Sequence, residues 1–309
     1  MTDIKLHTLI YDMSSEEYHG TPGTYSSSQF KDCLEDEELF FKKYIEKSIE
    51  RESAAAFDVG TYFHTGVLEP HKIDKDCAVY PGKVRKGEKW DAFLKKNKGK
   101  AILTQSQAEQ AKRLISALEA SPVAMGFIKR GRPEVSTFLE LAVGGGEVYA
   151  PAKKLILKST GWEKFIGKMP LNKCTKMTVK VRADSLGDDF VLDLKSTTGN
   201  AKSEKQMRDK ISYYNYDLSC SLYLDVFSAV TGSNYKKFIW SFASKDYHNS
   251  RSYLASGNNL LVGRAKYRKA LLKIANGISS NWMFSDELGI LEPNHYELEH
   301  IASSESDLV

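Results

Sequence analysis

Two short apolar segments separated by a tight polar turn constrain the fold of this chain more than any other part of its sequence. Residues 176–183 and 190–194 have the composition of β-strands, and Gly187, Asp188 and Asp189 lie between them. This spacing predicts an antiparallel hairpin. Helical segments precede and follow the hairpin, so the sequence predicts an α/β domain with a central mixed sheet flanked by helices.

The remaining elements can be assigned from hydrophobic periodicity and from capping residues. Helices are expected at about 26–44, 54–69, 104–120, 203–231 and 257–280, and strands at 134–142 and 237–242. Residues 72–103 have the composition of a basic, irregular connection, and residues 147–175 fit no single pattern. We expect one elaborated domain over residues 1–300 and a flexible acidic tail at 301–309.

Composition excludes some classes of protein and leaves others open. The chain has 44 Lys and Arg against 40 Asp and Glu, so its net charge of +4 does not by itself indicate a nucleic-acid partner. It contains no apolar run of about 20 residues and no signal-peptide pattern, which predicts a cytoplasmic protein without a membrane partner. The cysteines form no CxxC pair, so we expect reduced packing residues at Cys33, Cys77, Cys174 and Cys220.

Basic residues are concentrated in two segments. Residues 83–100 contain eight Lys and Arg against Glu88 and Asp91. This segment is either a phosphate-facing surface or a solvated lysine-rich face without a partner. Within it, Arg85, Lys86 and Lys89 are the candidate DNA contacts. The competing location is the last helix, which carries Arg264, Lys266, Arg268 and Lys269.

Three polar residues of the hairpin have the chemistry of a metal-dependent hydrolase. Asp193 and Lys195 lie two positions apart on one strand and therefore share a face, and Asp184 ends the preceding strand. Two converging carboxylates require a cation between them, and hard oxygen ligands select Mg²⁺ or Mn²⁺. A solvent-exposed ion pair is the alternative. The apolar neighbours of Asp193 argue against it, because a buried unpaired carboxylate is costly.

One histidine is placed where it could extend this site. Gly60 and His64 lie four positions apart on a predicted helix, so they share one face and the glycine leaves room beside the imidazole. His64 is either a further metal ligand or a core histidine with an internal hydrogen bond.

The ordered set of these motifs resembles a known family. The residues that carry the resemblance are Gly60–His64, Glu134–Ser136, Arg182–Asp184, Asp193–Thr198 and the tyrosine-rich helix through Tyr223, with further similarity at Tyr18-His19, Arg85–Gly87 and Gly263–Leu271. Together they resemble the RecE-like phage and prophage exonucleases of the PD-(D/E)XK superfamily, which includes lambda exonuclease and the RecB nuclease domain. The similarity extends over roughly residues 15–295.

The resemblance implies a PD-(D/E)XK restriction-endonuclease-like core and a role for each matching residue. Asp184 and Asp193 would bind Mg²⁺, for which Mn²⁺ can substitute, with the Leu194 carbonyl as an extra ligand. Lys195 would be the catalytic lysine and would also contact DNA. His64 would ligate or border the metal, and Glu134 would be an acidic residue near the site.

The resemblance also implies an activity and partners. Members of the family degrade linear double-stranded DNA from 5′ ends, release 5′ mononucleotides and leave 3′ overhangs for a single-strand annealing protein. They assemble into homo-oligomeric rings around DNA. A phage- or prophage-encoded enzyme acting in the cytoplasm of a bacterial host is therefore expected.

Two features depart from the family pattern. Ser219 stands where the family has the glutamine of a Gln-x-x-x-Tyr motif that ends here at Tyr223, and fifty positions separate Glu134 from Asp184. An insertion at 147–175 would account for that distance. Other functions therefore stay open, namely a single-strand exonuclease or an endonuclease on the same core. A nuclease-inactive DNA-binding recombination protein is a further alternative, which only Ser219 favours.

Overall fold

A mixed β-sheet forms the centre of the structure. A computed structural model describes residues 5–49, 55–150, 163–164 and 174–284. The strands are β1 (Thr24–Tyr25), β2 (Cys77–Tyr80), β3 (Ala101–Thr104), β4 (Arg132–Gly144), β5 (Glu147–Ala150), β6 (Glu163–Lys164), β7 (Thr175–Leu186), β8 (Phe190–Thr197), β9 (Lys237–Ser244) and β10 (Ser250–Leu254).

Helices surround this sheet. They are α1 (Ser15–Gly20), α2 (Ser27–Glu35), α3 (Glu37–Phe40), α4 (Ala55–Leu68), α5 (Ile73–Asp76), α6 (Glu88–Lys96), α7 (Gln105–Glu119), α8 (Pro122–Arg130), α9 (Glu204–Tyr213), α10 (Tyr216–Thr231) and α11 (Gly257–Ser279), with a π-helical segment at Phe41–Glu46 and a 3-10 turn at Pro70–Lys72. Within the described residues, no helix is both long and apolar enough to cross a bilayer.

The main sheet combines both strand directions. Its order is β10-β9-β8-β7-β4-β5-β6, and β1 pairs with β7 in parallel. The predicted hairpin is present, because β7 and β8 are antiparallel and joined across residues 187–189. β8 and β9 run parallel over their full lengths. The predicted mixed sheet flanked by helices is therefore confirmed.

Alternation along β8 divides the apolar core between the two faces of the sheet. Val191 packs with α2, α10 and α11, whereas Leu192 and Leu194 pack with α4, α7 and α8. Because side chains alternate along a strand, Asp193 and Lys195 share the face of Val191. Two of the cysteines, Cys33 and Cys220, are buried in the first of these cores, and Cys77 is buried in the second. These three therefore have the predicted packing role, whereas Cys174 is only partly buried.

Three expectations from the sequence are wrong. Residues 26–44 do not form one helix, because the extended backbone of Asp36 (φ −153°) separates α2 from α3, and a π-helical segment follows α3. Residues 72–103 are not irregular, since they contain α5, β2, α6 and β3, and β2 pairs with β3 in parallel. These elements are too short for periodicity to reveal them, and ring contacts of Tyr80 with Trp90 and Phe93 hold them together. Residues 203–231 form two helices rather than one, because the left-handed backbone of Asn215 (φ 49°) separates α9 from α10. The tail at 301–309 and most of 147–175 lie outside the described residues.

Candidate active site

The site lies where β8 separates from β7. Backbone pairing between the two strands covers Ser185 with Leu192 and Leu186 with Val191. Beyond that point the amide N–H of Leu194 donates to Oδ2 of Asp184 at 2.6 Å. A side-chain carboxylate thus takes the place of a backbone partner, and the N–H group stays satisfied inside the fold.

Three ligand-type side chains converge at this opening. His64 comes from α4, Glu134 from β4 and Asp184 from β7, and one ligand atom of each lies within 4.8 Å of the other two. Nδ1 of His64 is 3.4 Å from Oδ2 of Asp184. Among the His, Cys, Asp and Glu side chains of the described residues, these three lie close enough together to hold a metal ion.

Glu134 reaches the group through an unusual backbone conformation. Its φ is 52°, and it lies between the paired residues Pro133 and Val135, at the position of β4 that faces Asp184. A left-handed conformation is uncommon for a residue other than glycine and costs roughly 1–3 kcal/mol. Strain of this kind concentrates at functional sites. Nη1 of Arg182 lies 3.6 Å from Oε2 of Glu134 and partly offsets its charge.

The carboxyl groups of Glu134 and Asp184 lie close together, and their pKa values are shifted in opposite directions. Burial, together with the charge of Asp184, raises the pKa of Glu134 to about 7. Burial alone would also raise the pKa of Asp184, but His64, Lys195 and the hydrogen bond from Leu194 outweigh it and hold that pKa below its ordinary value. One carboxyl is thus ionised at neutral pH, and the other is close to its midpoint.

Asp193 and Lys195 form a buried ion pair beside this group. Both carboxylate oxygens of Asp193 lie 2.6 Å from Nζ of Lys195. Only Oδ1 has hydrogen-bond geometry, and the buried Oδ2 accepts no hydrogen bond. Burial would lower the pKa of Lys195, but the charges of Asp193 and Asp184 raise it overall, so the ammonium stays charged. The carbonyl of Leu194 lies 3.4 Å from the same ammonium.

The acidic residues therefore occupy two neighbouring positions. Asp184 belongs to the group with His64 and Glu134, whereas Asp193 lies outside that group and pairs with Lys195. Burial, opposed by Lys195 and reinforced by Asp184, raises the pKa of Asp193 overall. Asp193 is sensitive to the charge of Asp184, so the two carboxylates are electrostatic neighbours.

α10 covers the side of the site that carries Asp193. Burial, with the charge of Asp193, raises the pKa of Tyr223 to about 12, and the hydroxyl of Ser27 hydrogen-bonds to its phenol oxygen. Ser219 lies one turn earlier and is buried. Tyr216, at the start of α10, holds its ring 5.1 Å from Nζ of Lys195. No role was predicted for Tyr216, and only its place in a tyrosine-rich segment could have indicated one.

The sequence matches the model of the family described as "PDDEXK-like domain of unknown function (DUF3799)" over residues 26–146 and 167–281. The chain belongs to this family. The predicted membership of the PD-(D/E)XK superfamily is confirmed, and the match omits residues 147–166. No curated protein matches the sequence significantly.

One solved structure resembles this chain in its fold over most of both lengths. The crystal structure of a "Putative exonuclease" from Eubacterium rectale superposes with a TM-score of 0.55 and 16% identity, covering 92% of this chain and 97% of that one. A second structure, SSO0001, has a TM-score of 0.26 and 13% identity over 79% of this chain and 84% of its own, a score from which no shared fold is inferred.

Most Lys and Arg side chains of α11, the last helix of this PDDEXK-like domain, form ion pairs within the protein. Arg264 pairs with Asp225 at 2.8 Å, and Lys266 pairs with Asp217 at 2.8 Å. Arg268 lies 3.2 Å from Glu147. These pairs fasten α11 to α10 and to β5, which weakens the case for α11 as the principal DNA contact.

In the basic segment, residues 83–100, some cationic side chains contact other residues of the fold and others are exposed to solvent. Arg85 donates to Gln107 at 2.7 Å and lies over the ring of Trp90, so it stabilises the fold of this segment. Lys86 and Lys89 are exposed. These two lysines are therefore cleaner probes of DNA binding than Arg85.

Charge reversal at Lys86 and Lys89 tests the proposed DNA contact. We expect the K86E/K89E variant to bind DNA more weakly, because it loses contacts with phosphates. Each lost contact also reduces the slope of log affinity against log salt concentration by about one. The measurement is a titration of DNA affinity against salt concentration. Reversal of Lys112 and Lys205, two exposed lysines of α7 and α9, is the matched control. Equal slopes in the two double variants would contradict the assignment.

Glu134→Gln should raise the stability of the metal-free protein and reduce the stabilisation that added metal provides. Because the pKa of Glu134 is raised from 4.5 to about 7, folding takes up a proton in this range and stability falls as pH rises through it. At pH 8 without metal, we expect the neutral amide to raise the free energy of unfolding by about 2 kcal/mol. With Mn²⁺ added, the variant should gain less thermal stability than the wild type.

The two outcomes are measured by thermal unfolding in EDTA and in MnCl₂. Glu140→Gln is the control, since Glu140 lies on the same strand and is partly exposed beside Lys176. If Glu134→Gln were less stable than the wild type in EDTA, the negative charge of Glu134 would not destabilise the folded state, and the prediction would be wrong.

Proposed function

We propose that this PDDEXK-like domain is a Mg²⁺-dependent exodeoxyribonuclease. It would act on linear double-stranded DNA from the 5′ end, release 5′ mononucleotides and leave 3′ overhangs. The observation that carries the proposal is the convergence of His64, Glu134 and Asp184 within 4.8 Å, beside the buried pair of Asp193 and Lys195. The name of the Eubacterium rectale neighbour supports exonuclease over endonuclease activity.

The residues present fit a divalent cation. The group offers two carboxylates and one imidazole nitrogen, and hard oxygen donors suit Mg²⁺ and Mn²⁺. The buried Oδ2 of Asp193 lies beside the ammonium of Lys195 but accepts no hydrogen bond, so it could serve as a further metal ligand. We assign Asp184 and Asp193 as the principal metal ligands, with His64, Glu134 and the Leu194 carbonyl in support. When bound, the metal would lower the pKa of water and neutralise charge on the phosphate.

The side chains of the protein supply the rest of the chemistry. Water attacks phosphorus, the bond from phosphorus to the 3′ oxygen breaks, and the freed nucleotide keeps its 5′ phosphate. The ammonium of Lys195, held by Asp193, stabilises the negative charge that develops on a non-bridging phosphate oxygen. The N–H of Leu194 orients the carboxylate of Asp184. Glu134, the second carboxylate of the group, would accept the proton that the attacking water loses, and solvent water would protonate the freed 3′ oxygen.

A nuclease assay on three substrates tests the proposal. Linear duplex, circular duplex and single-stranded DNA are incubated with Mg²⁺ or with EDTA, and the linear duplex carries a 5′ label in one set and a 3′ label in another. We expect Mg²⁺-dependent loss of linear duplex, early release of the 5′ label and intact circles. The Asp193→Ala variant should be inactive, which excludes a contaminating nuclease.

Other outcomes would favour the alternatives. Cleavage of circles indicates an endonuclease, and degradation of single strands alone indicates a single-strand exonuclease. DNA binding without hydrolysis in any condition would favour the nuclease-inactive recombination protein, for which Ser219 in place of the family glutamine is the supporting feature.

Assembly and cellular role belong to the same proposal. The resemblance to RecE-like exonucleases supports a homo-oligomeric ring around DNA, a single-strand annealing partner for the overhang and a phage- or prophage-encoded origin in a bacterial cytoplasm. Measurement of the molar mass in solution tests the ring, because a monomeric mass at working concentration would exclude it.

A further inference from the structure

Three tyrosines form a continuous aromatic series that begins at the candidate site and ends in solvent. The rings of Tyr216 and Tyr214 lie 5.5 Å apart and are nearly parallel, at 24°. The rings of Tyr214 and Tyr213 are 4.9 Å apart in an edge arrangement. Exposure increases along the series, since Tyr214 is 47% exposed and Tyr213 is 80% exposed.

The break between α9 and α10 makes this arrangement possible. In one continuous helix, residues 214 and 216 would project about 200° apart and their rings could not stack. The left-handed backbone of Asn215 ends α9 and restarts the chain as α10, which brings the two rings face to face. Asparagine tolerates this conformation better than most residues.

The inner end of the series is joined to the residues proposed for catalysis. Nζ of Lys195 lies 5.1 Å from the centre of the Tyr216 ring, and Nζ of Lys31 lies 5.0 Å from the same ring. Lys210 of α9, one turn before Tyr214, donates to the hydroxyl of Thr198 just beyond the end of β8. Lys195 and Lys31 therefore border the Tyr216 ring from two elements, which suits an anionic ligand.

We infer that Tyr213 and Tyr214 stack nucleobases of an unpaired DNA strand next to the cleavage site. The inference rests on the proposed nuclease function and specifies that the site binds its DNA as an unpaired strand. Exposed aromatic faces with cations beside them are the means by which proteins bind single strands without regard to sequence. A duplex offers no free base faces along its length, so a duplex end would have to fray before the terminal nucleotides reached the tyrosines.

A fluorescent base at the end of a single strand tests the inference. An oligonucleotide with 2-aminopurine at its first or second 5′ position is mixed with the full-length protein in EDTA, where hydrolysis does not occur. We expect the wild type to quench the fluorescence by stacking. The Y213A/Y214A variant should lose the quenching and bind the strand about tenfold more weakly or worse.

Matched variants separate stacking from other causes. Y213F/Y214F should retain the quenching, because phenylalanine keeps the ring, whereas Y213L/Y214L should lose it although leucine keeps the apolar bulk. Circular dichroism and thermal unfolding confirm that each variant is folded. Equal quenching by the wild type and the alanine variant, or no quenching by the wild type, would overturn the inference.

Hydrolysis is measured separately so that the two proposals can fail independently. A wild type that degrades DNA in Mg²⁺ without tyrosine-dependent quenching would retain the nuclease function and lose the stacking role. Tyrosine-dependent quenching by a wild type that degrades no DNA would retain the stacking role and reject the nuclease function.

Discussion

Replacing Lys195 by methionine is expected to lower the rate of DNA hydrolysis by about 10²–10³-fold, the usual cost of removing one group that stabilises transition-state charge. Methionine has a similar length but no charge, so the apolar contacts of the strand are kept. The change also leaves Asp193 without its buried ionic partner, which raises the pKa of that carboxyl and weakens its capacity to bind a cation. Release of labelled nucleotides under single-turnover conditions measures the effect.

A lysine on the neighbouring strand provides the control. Lys237 begins β9 and also pairs with an aspartate, Asp189, but it is 54% exposed and lies away from the opening between β7 and β8. We expect Lys237→Met to retain the wild-type rate, because exposed ion pairs contribute little. Similar rates for the two methionine variants would show that Lys195 is a structural residue, and the catalytic assignment would be wrong.

Replacing Gly263 by alanine is expected to lower the free energy of unfolding by about 3 kcal/mol, at the upper end of the range for overpacked sites. A Cβ at this position of α11 would overlap the carbonyl oxygen of Asp217 and the hydroxyl of Ser221 on α10. The carbonyl belongs to the backbone of a buried helix and cannot move aside by a rotamer change. The helix propensity gained with alanine, about 1 kcal/mol, does not offset this overlap.

Gly126 is the matched control for this substitution. It lies inside α8, and a Cβ built there meets no atom within 4 Å. We expect Gly126→Ala to be neutral or to stabilise the protein by up to about 1 kcal/mol. Chemical denaturation of both variants gives the comparison. A Gly263→Ala variant as stable as the wild type would show that α10 and α11 can separate at little cost.

The parts of the site that depend on local spacing were predictable from the sequence. A three-residue turn between two apolar segments predicts a hairpin, and alternation along β8 places Asp193 and Lys195 on one face. Similarly, the polar cap at Thr104 predicts a helix that begins there, and α7 does. Each of these features depends on residues close together in the chain, and the structure confirms each of them.

Features that depend on distant contacts could not be predicted in the same way. The position of Glu134 depends on a left-handed backbone opposite Asp184, fifty residues away. The division between an Asp184 group and an Asp193 pair depends on where β8 leaves β7, which no local pattern specifies. The break at Asn215 was also missed, because asparagine is tolerated within helices as well as between them.

The short connection at residues 187–189 limits how this domain can change. Because the faces of a strand alternate at every residue, deleting one residue there would turn Asp193 and Lys195 towards α4 and bring Leu192 and Leu194 to the opposite side. Asp184, on the other strand, would stay in place. A length change in this turn would therefore remove Asp193 and Lys195 from the side of the sheet that α10 covers, while leaving the composition of the chain almost untouched. Loop lengths elsewhere on the surface carry no such penalty.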